Sequence, residues 1–414
     1  MAAPPPPQAL SMEELPEETQ RLILRHIPCS VDHGRMSLVC RAWRNMIRRQ
    51  RNQLVGQLLP QRRLLPWLLL RAPFPVGSTR VACVLSGCRV HHFLNITPPE
   101  ARCFGSHDGA WLLLDTRELR PHKALNIRTG NVCDLPRKLR RRTDPYIHRM
   151  VIHVATLSSS PEHTNYVGAA IVTSWRNPAP GVVAALPPRR RCVALWRKNW
   201  RWVFDFVPPG DGDVALDVED VLYLYSGAFA FVTQGEHLRL CKPFRLQENM
   251  LTTNWETLRF RPRGRLHDQY VRARYLVVSR EELLMVVRFT PHPNQPTSKF
   301  KVFRGIERNI ADADANFPVD MYPFEWSELD TLGDQMLFVG HGCSRSYKAD
   351  EYLQGGIYFL DDGKFYDDAV IFGNGNVNHY PCSDNGMWSE GGHVQRCFPR
   401  PDPSDQSAPV WLLP

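Results

Sequence analysis

The chain has no long apolar run: the densest stretch, Leu64 to Leu70, is interrupted by Pro66 and falls far short of the roughly 20 residues that a membrane-crossing helix needs. An integral helical membrane protein is therefore excluded. It also has no CxxC pair. Its eleven cysteines are odd in number and scattered from Cys29 to Cys397, so they outline neither a zinc ribbon nor a disulfide framework and read as reduced thiols. The start, MAAPPPPQAL, has neither a basic n-region nor an apolar h-region, which argues against secretion and for cytoplasm or nucleus. Walker and dinucleotide fingerprints and the G-x-S-x-G elbow are missing as well, so no cofactor is indicated and no catalytic residue is assigned.

What is present is an ordinary globular composition, 43% hydrophobic and 22% charged over 414 residues, enough chain for two or three domains. The net charge of +9 comes largely from arginine, clustered at Arg48, Arg49 and Arg51, at Arg140 to Arg142 and at Arg189 to Arg191. None of these clusters interleaves aromatics as a single-strand binder does. They read as solvated loops, with an acidic partner as the sharper alternative and nucleic acid not expected. Cys83 and Cys88, followed by His91 and His92, have a metal-like look, but the intervening VLSG reads as strand and turn and no metal site is assigned. Asp312, Asp314 and Asn316 occupy positions 1, 3 and 5 of a calcium loop; Phe317 and Pro323 then stand where glycine and the bidentate acid belong. His341, Cys343 and Ser344 in GHGCS read as a hairpin turn rather than a nucleophile.

Residues 1–10 form a Pro-rich lead-in expected to be disordered. Ser11 and Glu14 have capping-box spacing and predict a helix whose buried side comes from Leu22, Ile23 and Ile27, closed by Pro28. A second helix is predicted from an N-cap at Asp32, with Met36, Val39, Cys40, Trp43, Met46 and Ile47 on one face and Arg35, Arg41, Arg44, Asn45 and Arg48 on the other. This unit spans about residues 11–55 and is too small to be comfortable alone. A linker is expected over 56–74. From about 75 onward, helical periodicity gives way to short β-branched or aromatic runs punctuated by Gly, Pro, Asn and Asp. Thirteen such runs stand out, from Arg80–Leu85 and Ala110–Asp115 to Gln335–Val339 and Gly356–Leu360. VLYLYSGAFAFVT and YLVVSREELLMVVRF read as hairpins turning at Ser226-Gly227 and at Arg280-Glu281-Glu282. At 40–50 residues per four-stranded blade, residues 75–414 hold about six or seven blades of a β-propeller, with two separate β-domains as the alternative.

LPEETQRLILRHIPCSVDHGRMSLVCRAWRNMIRR resembles an F-box, with Leu15-Pro16 at its start and Val39, Cys40, Arg41, Trp43 and Arg44 as its late core; Thr19 and Gln20 stand where that family often has aliphatic residues. FGSHDGAWLLLD, LNIRTGNVCDLP, DVEDVLYLYSGAFAFVT, FKVFRG, ELDTLGDQMLFVGHGCS, GGIYFLDD and the terminal VWLLP resemble, in order, the KIB-type propeller that follows the F-box in a large plant group. FYDDAVIFGNGNVNHYPCSDNGMWSEGG is less typical of it. The resemblance implies the substrate-recognition subunit of an SCF-type ubiquitin ligase, a non-catalytic receptor whose F-box docks a Skp-type adaptor and, through it, a cullin, while the propeller holds a protein target. The adaptor-binding residues it implies are Leu15, Pro16, Leu22, Ile23, Ile27, Val39, Cys40 and Trp43; Trp43 reads either as an interface anchor or as part of the F-box's own core. The alternative function is a propeller interaction module whose F-box has drifted from ligase work.

Overall fold

A run such as WLLL or LLMVVRF, apolar at consecutive positions rather than at alternate ones, describes a strand covered on both faces. The computed structural model builds the molecule from such strands. It describes residues 15–27, 29–56, 66–70, 78–84, 89–94, 101–115, 121–140, 146–175, 190–199, 202–205, 218–246, 250–263, 270–309, 316–349, 354–362, 380–400, 403–404 and 407–413. The predicted capping box at Ser11 and Glu14, Pro28, Cys88, Asp312 and Asp314 lie outside these residues.

Among the described residues three helices lead: α1 (Glu17–Arg25), α2 (Ser30–Val39) and α3 (Arg41–Gly56). Helix α1 starts directly behind Pro16 and carries Glu17 and Glu18 in its first turn, where carboxylates meet the positive end of the helix dipole. The single helix predicted from Asp32 is two. Cys40 is fully extended, at φ −152° and ψ 169°, so the chain bends between α2 and α3, and Val39 leaves the face that continuous periodicity assigned to it. Asp32 is not the N-cap: α2 starts at Ser30 behind Cys29, and Asp32 forms an ion pair with Arg35 one turn on.

Six sheets follow. The first contains β1 (Trp67–Leu70), β2 (Ser78–Cys83) and β3 (Arg89–Leu94); the second, β4 (Arg102–His107), β5 (Trp111–Asp115), β6 (His122–Asn126) and β7 (Val132–Leu135). The third has β8 (Lys138–Arg140), β9 (Ile147–Leu157), β10 (Val167–Trp175), β11 (Arg190–Arg197) and β12 (Trp202–Asp205), and β12 pairs in parallel with β8, so this sheet curls shut. Four-stranded meanders make the fourth, β13 (Val218–Tyr223), β14 (Phe229–Thr233), β15 (Leu238–Leu246) and β16 (Met250–Leu258), and the fifth, β17 (Tyr270–Ser279), β18 (Glu282–Thr290), β19 (Lys299–Glu307) and β20 (Phe324–Glu328). The sixth holds β21 (Gln335–Val339), β22 (Arg345–Lys348), β23 (Gly356–Phe359), β24 (Gly386–Trp388) and β25 (Val394–Gln395). The last strand, β26 (Val410–Leu412), returns to the first sheet and pairs antiparallel with β1. This is a six-bladed propeller closed by a blade that both ends of the chain share.

The expected linker at 56–74 is corrected: its first residue ends α3, and Trp67–Leu70 is already a propeller strand. The turn expected at Arg280-Glu281-Glu282 is two residues long, since Ser279 and Glu282 pair directly. Arg280 and Glu281 have φ of 49° and 68°, the left-handed pair that lets a tight turn match strand twist. Arg190 and Arg191, expected in a loop, open strand β11.

The core is a ring of inter-blade layers rather than one nucleus. On β1, Leu69 packs toward the second blade with Val81, Leu112 and Leu114, whereas Leu68 and Leu70 pack toward the sixth with Phe338 and Tyr358. On β18, Val286 faces the sixth blade while Met285 and Val287 face the fourth. Alternation by two sends each strand's side chains into two different layers. Trp411 locks the ring: it is wholly buried, meets Phe338 edge-on at 5.3 Å and donates its indole N–H to the Val339 carbonyl at 2.8 Å. Gly168 is fixed by contact, because a Cβ there would fall 2.2 Å from the buried ring of Trp196 on the paired strand.

Trp411→Ala is expected to cost about 3–5 kcal/mol, read as a lowered urea midpoint with the near-ultraviolet signal of the whole ring lost in one step. In the same assay Gly168→Ala should also lower the midpoint, and an unchanged value would contradict the contact with Trp196.

Candidate functional site

The head formed by α1 to α3 buries few side chains. Leu24, Trp43, Met46 and Ile47 are buried together, with Ile23, Met36 and Cys40 packed around them. Trp43 is only 5% exposed, so it acts as the keystone of this small core. Of the other residues expected to touch an adaptor, Pro16, Leu22 and Val39 are exposed, and Leu15, Ile23, Ile27 and Cys40 are half-buried. Leu22, expected on the buried side of α1, lies outward; Leu24 takes the inward place. Leu38, which the sequence reading passed over, is 76% exposed beside Val39 at 75%. Such a pair at a helix end adds apolar surface that the head itself leaves uncovered. The signal for Leu38 was its place next to Val39, visible only once Cys40 broke the helix.

Gln20 stands at a position where the resemblance marked a departure, yet it is buried and donates its side-chain amide to the Leu15 carbonyl at 2.9 Å. It ties the Leu15-Pro16 entry to the first turn of α1. His33 lies 3.3 Å from the Leu24 carbonyl and closes the other end of that helix against α2.

The propeller encloses a cavity of about 600 Å³, within the size range of small-molecule sites. Its wall includes Arg102, His153, Arg272, Asp361, Asp384 and Arg396. The cationic groups are largely matched in place. Arg272 meets Asp361 at 2.8 Å, Arg396 meets Asp384, and Arg102 meets Asp115 at 3.5 Å. Behind the wall, Arg288 is completely buried on β18. It donates to Asp384 at 2.7 Å, to the Leu360 carbonyl at 2.7 Å, to Thr297 at 2.6 Å and to Tyr275 at 3.1 Å. Burial alone draws the Arg288 guanidinium down, but Tyr275, Asp384, Asp362 and Asp361 outweigh it and hold the cation. Burial likewise pushes Asp384 up, and Arg288, Thr297, Arg396 and Arg272 reverse this to about 2. His153 is kept neutral by burial, reinforced by Arg102 and Arg191. The cavity is thus lined by matched ion pairs rather than by an uncompensated anion hole.

Asp220 on β13 joins three blades. Its carboxylate accepts backbone N–H groups from Val221 at 2.9 Å, Leu276 at 2.8 Å and Gly342 at 2.6 Å, and burial still pushes its pKa up to about 6. Gly342 turns the hairpin from β21 to β22 at φ +72°, and a Cβ there would lie 2.7 Å from the Ala155 carbonyl. GHGCS is the turn it was expected to be, sunk into the ring. Burial lifts the Cys343 thiol to about 12, and Ser344 donates to the Gly340 carbonyl at 3.1 Å, so neither group is poised as a nucleophile.

Three short helices carrying exposed apolar residues, joined to a six-bladed propeller, define an F-box protein with a β-propeller as its second domain. Two family models match the chain: the F-box domain over residues 12–53 and the KIB1-4 beta-propeller over 85–385. The chain belongs to the family of F-box proteins with a KIB1-4 propeller. No curated protein matches it. This combination supports a substrate-receptor role in an SCF-type ubiquitin ligase in general, and fits a non-catalytic adaptor.

Asp384→Asn should lower stability near neutral pH by about 2 kcal/mol, since a carboxylate held near 2 against an ordinary 3.8 gains about 1.4 kcal/mol per pH unit of separation. That contribution is complete above about pH 4 and is lost as pH falls toward 2. Urea titrations of both proteins across this window should therefore converge at the acid end; a gap that stays constant would refute the assignment.

Proposed function

We propose that the chain is the target-binding subunit of an SCF-type ligase, acting in cytoplasm or nucleus, whose F-box docks a Skp-type adaptor and through it a cullin. The observation that carries the reading is the apolar surface left open on the head: Pro16, Leu22, Leu38 and Val39 face outward while the head's own core is already filled by Leu24, Trp43, Met46 and Ile47. An adaptor covers that surface, with Leu15, Ile23, Ile27 and Cys40 at its half-buried margin. Trp43 supports the face from beneath by holding α3 against α1 and α2. The propeller presents the protein target; its cavity and the exposed Arg400 at the cavity wall are the surfaces offered to it.

The full chain co-purifies with a Skp-type adaptor and a cullin if this reading is right. Leu15→Ala with Pro16→Ala, and separately Val39→Glu, should each weaken adaptor affinity tenfold or more, which is about 1.4 kcal/mol or above, with the propeller's thermal transition unmoved. Trp43→Ala should lose the adaptor together with the helical signal of the head. Undiminished adaptor capture by both surface variants would overturn the proposal.

A further inference from the structure

The head and the propeller meet at Cys29, Cys83 and His91, of which Cys83 and His91 belong to the Cys/His run noted in the sequence and Cys29 does not. Cys29 precedes α2, Cys83 ends β2, and His91 lies in β3. Cys83 pairs with Arg89 and Val81 with His91, so Cys83 and His91 are diagonal neighbours on one face of the hairpin. Cys29 is brought onto that face from 54 residues away. All three are essentially sealed from water, at 0%, 0% and 1% exposure.

The Cys29 Sγ lies 3.3 Å from His91 Nε2 and 3.7 Å from Cys83 Sγ, and the three donor atoms fall within 4.8 Å of one another. Zinc bonds of about 2.3 Å to sulfur and about 2.0 Å to nitrogen give tetrahedral edges of about 3.8 Å between two sulfurs and about 3.5 Å between sulfur and nitrogen. The observed separations match both edges. A Cys29–Cys83 disulfide fits poorly, because its sulfurs stand about 2.05 Å apart. Two thiolates and an imidazole are the donor set of a borderline-soft divalent ion.

We propose that Cys29, Cys83 and His91 supply three ligands to one zinc ion that clips the F-box head to the first propeller blade. Binding releases the two thiol protons to solvent as the thiolates form. The clip sets the direction in which the propeller faces relative to the adaptor-bound head. It is independent of which adaptor or target the protein engages.

The test uses the full chain purified with its adaptor from zinc-supplemented medium, with metal counted by inductively coupled plasma mass spectrometry. One equivalent of zinc per chain is expected. Cys29→Ser and Cys83→Ser should each reduce it at least fivefold, whereas Cys241→Ser, at a buried thiol elsewhere, should leave it unchanged. Exchange into cobalt(II) should give a thiolate-to-metal absorption band in the near ultraviolet. If the serine variants fail to fold, the wild-type protein still decides: chelation must strip the equivalent of zinc, and added zinc must restore it. A folded full chain that carries no metal and takes up neither zinc nor cobalt, zinc retained in the double serine variant, or a Cys29–Cys83 disulfide in the intact mass would each overturn the proposal.

Discussion

Closure of the ring is the constraint on which the rest of the structure depends. Each blade buries its two faces against two neighbours, so an open ring leaves two blade faces in water. Closure rests on β26, a strand of three residues, paired with β1. The strand is reinforced well beyond its length. Trp411 fills the layer between the first and sixth blades and is bonded to Val339, Ser106 donates to the Trp411 carbonyl, and Ser407 holds both the N–H and the carbonyl of Cys103. Contacts spanning some 300 residues of sequence are slow to form and highly cooperative once made.

A second layer of control is electrostatic. Arg288, Asp220 and Asp384 are buried charges, and each binds groups from other parts of the chain. A buried charge with one partner removed is strongly unfavourable, whereas a fully bonded one tolerates only a single arrangement of its partners. The apolar layers supply cohesion and accept small slides between blades. Asp220, accepting from β13, β17 and the turn at Gly342, does not.

Much of this was legible beforehand. Each of the thirteen apolar runs overlaps a strand, because a doubly covered strand needs consecutive β-branched or aromatic residues, and the F-box and propeller order was readable from VCRAWR and the blade motifs. Strands with polar or mixed sequences, such as Arg102–His107, Met250–Leu258 and Phe324–Glu328, escaped notice because pairing with a neighbour, not local propensity, defines them. The break at Cys40 escaped because apolar periodicity runs through it undisturbed. Of the candidate surface on the head, the residue types were visible but their sides were not: Leu22 and Leu24 exchange roles on a shift of two positions. Cys29 gave no signal at all near Cys83, since only the packing of the head on the first blade makes them neighbours.

The small interior of the head has a consequence for how the receptor lives in a cell. A core of four buried apolar side chains among the described residues gives such a unit little cooperativity of its own, so its folded fraction tracks whatever clasps it. A clasping protein at a hundred times its dissociation constant adds about 2.7 kcal/mol. For a head that docks an adaptor as proposed, supply of that adaptor thereby sets how many copies remain intact.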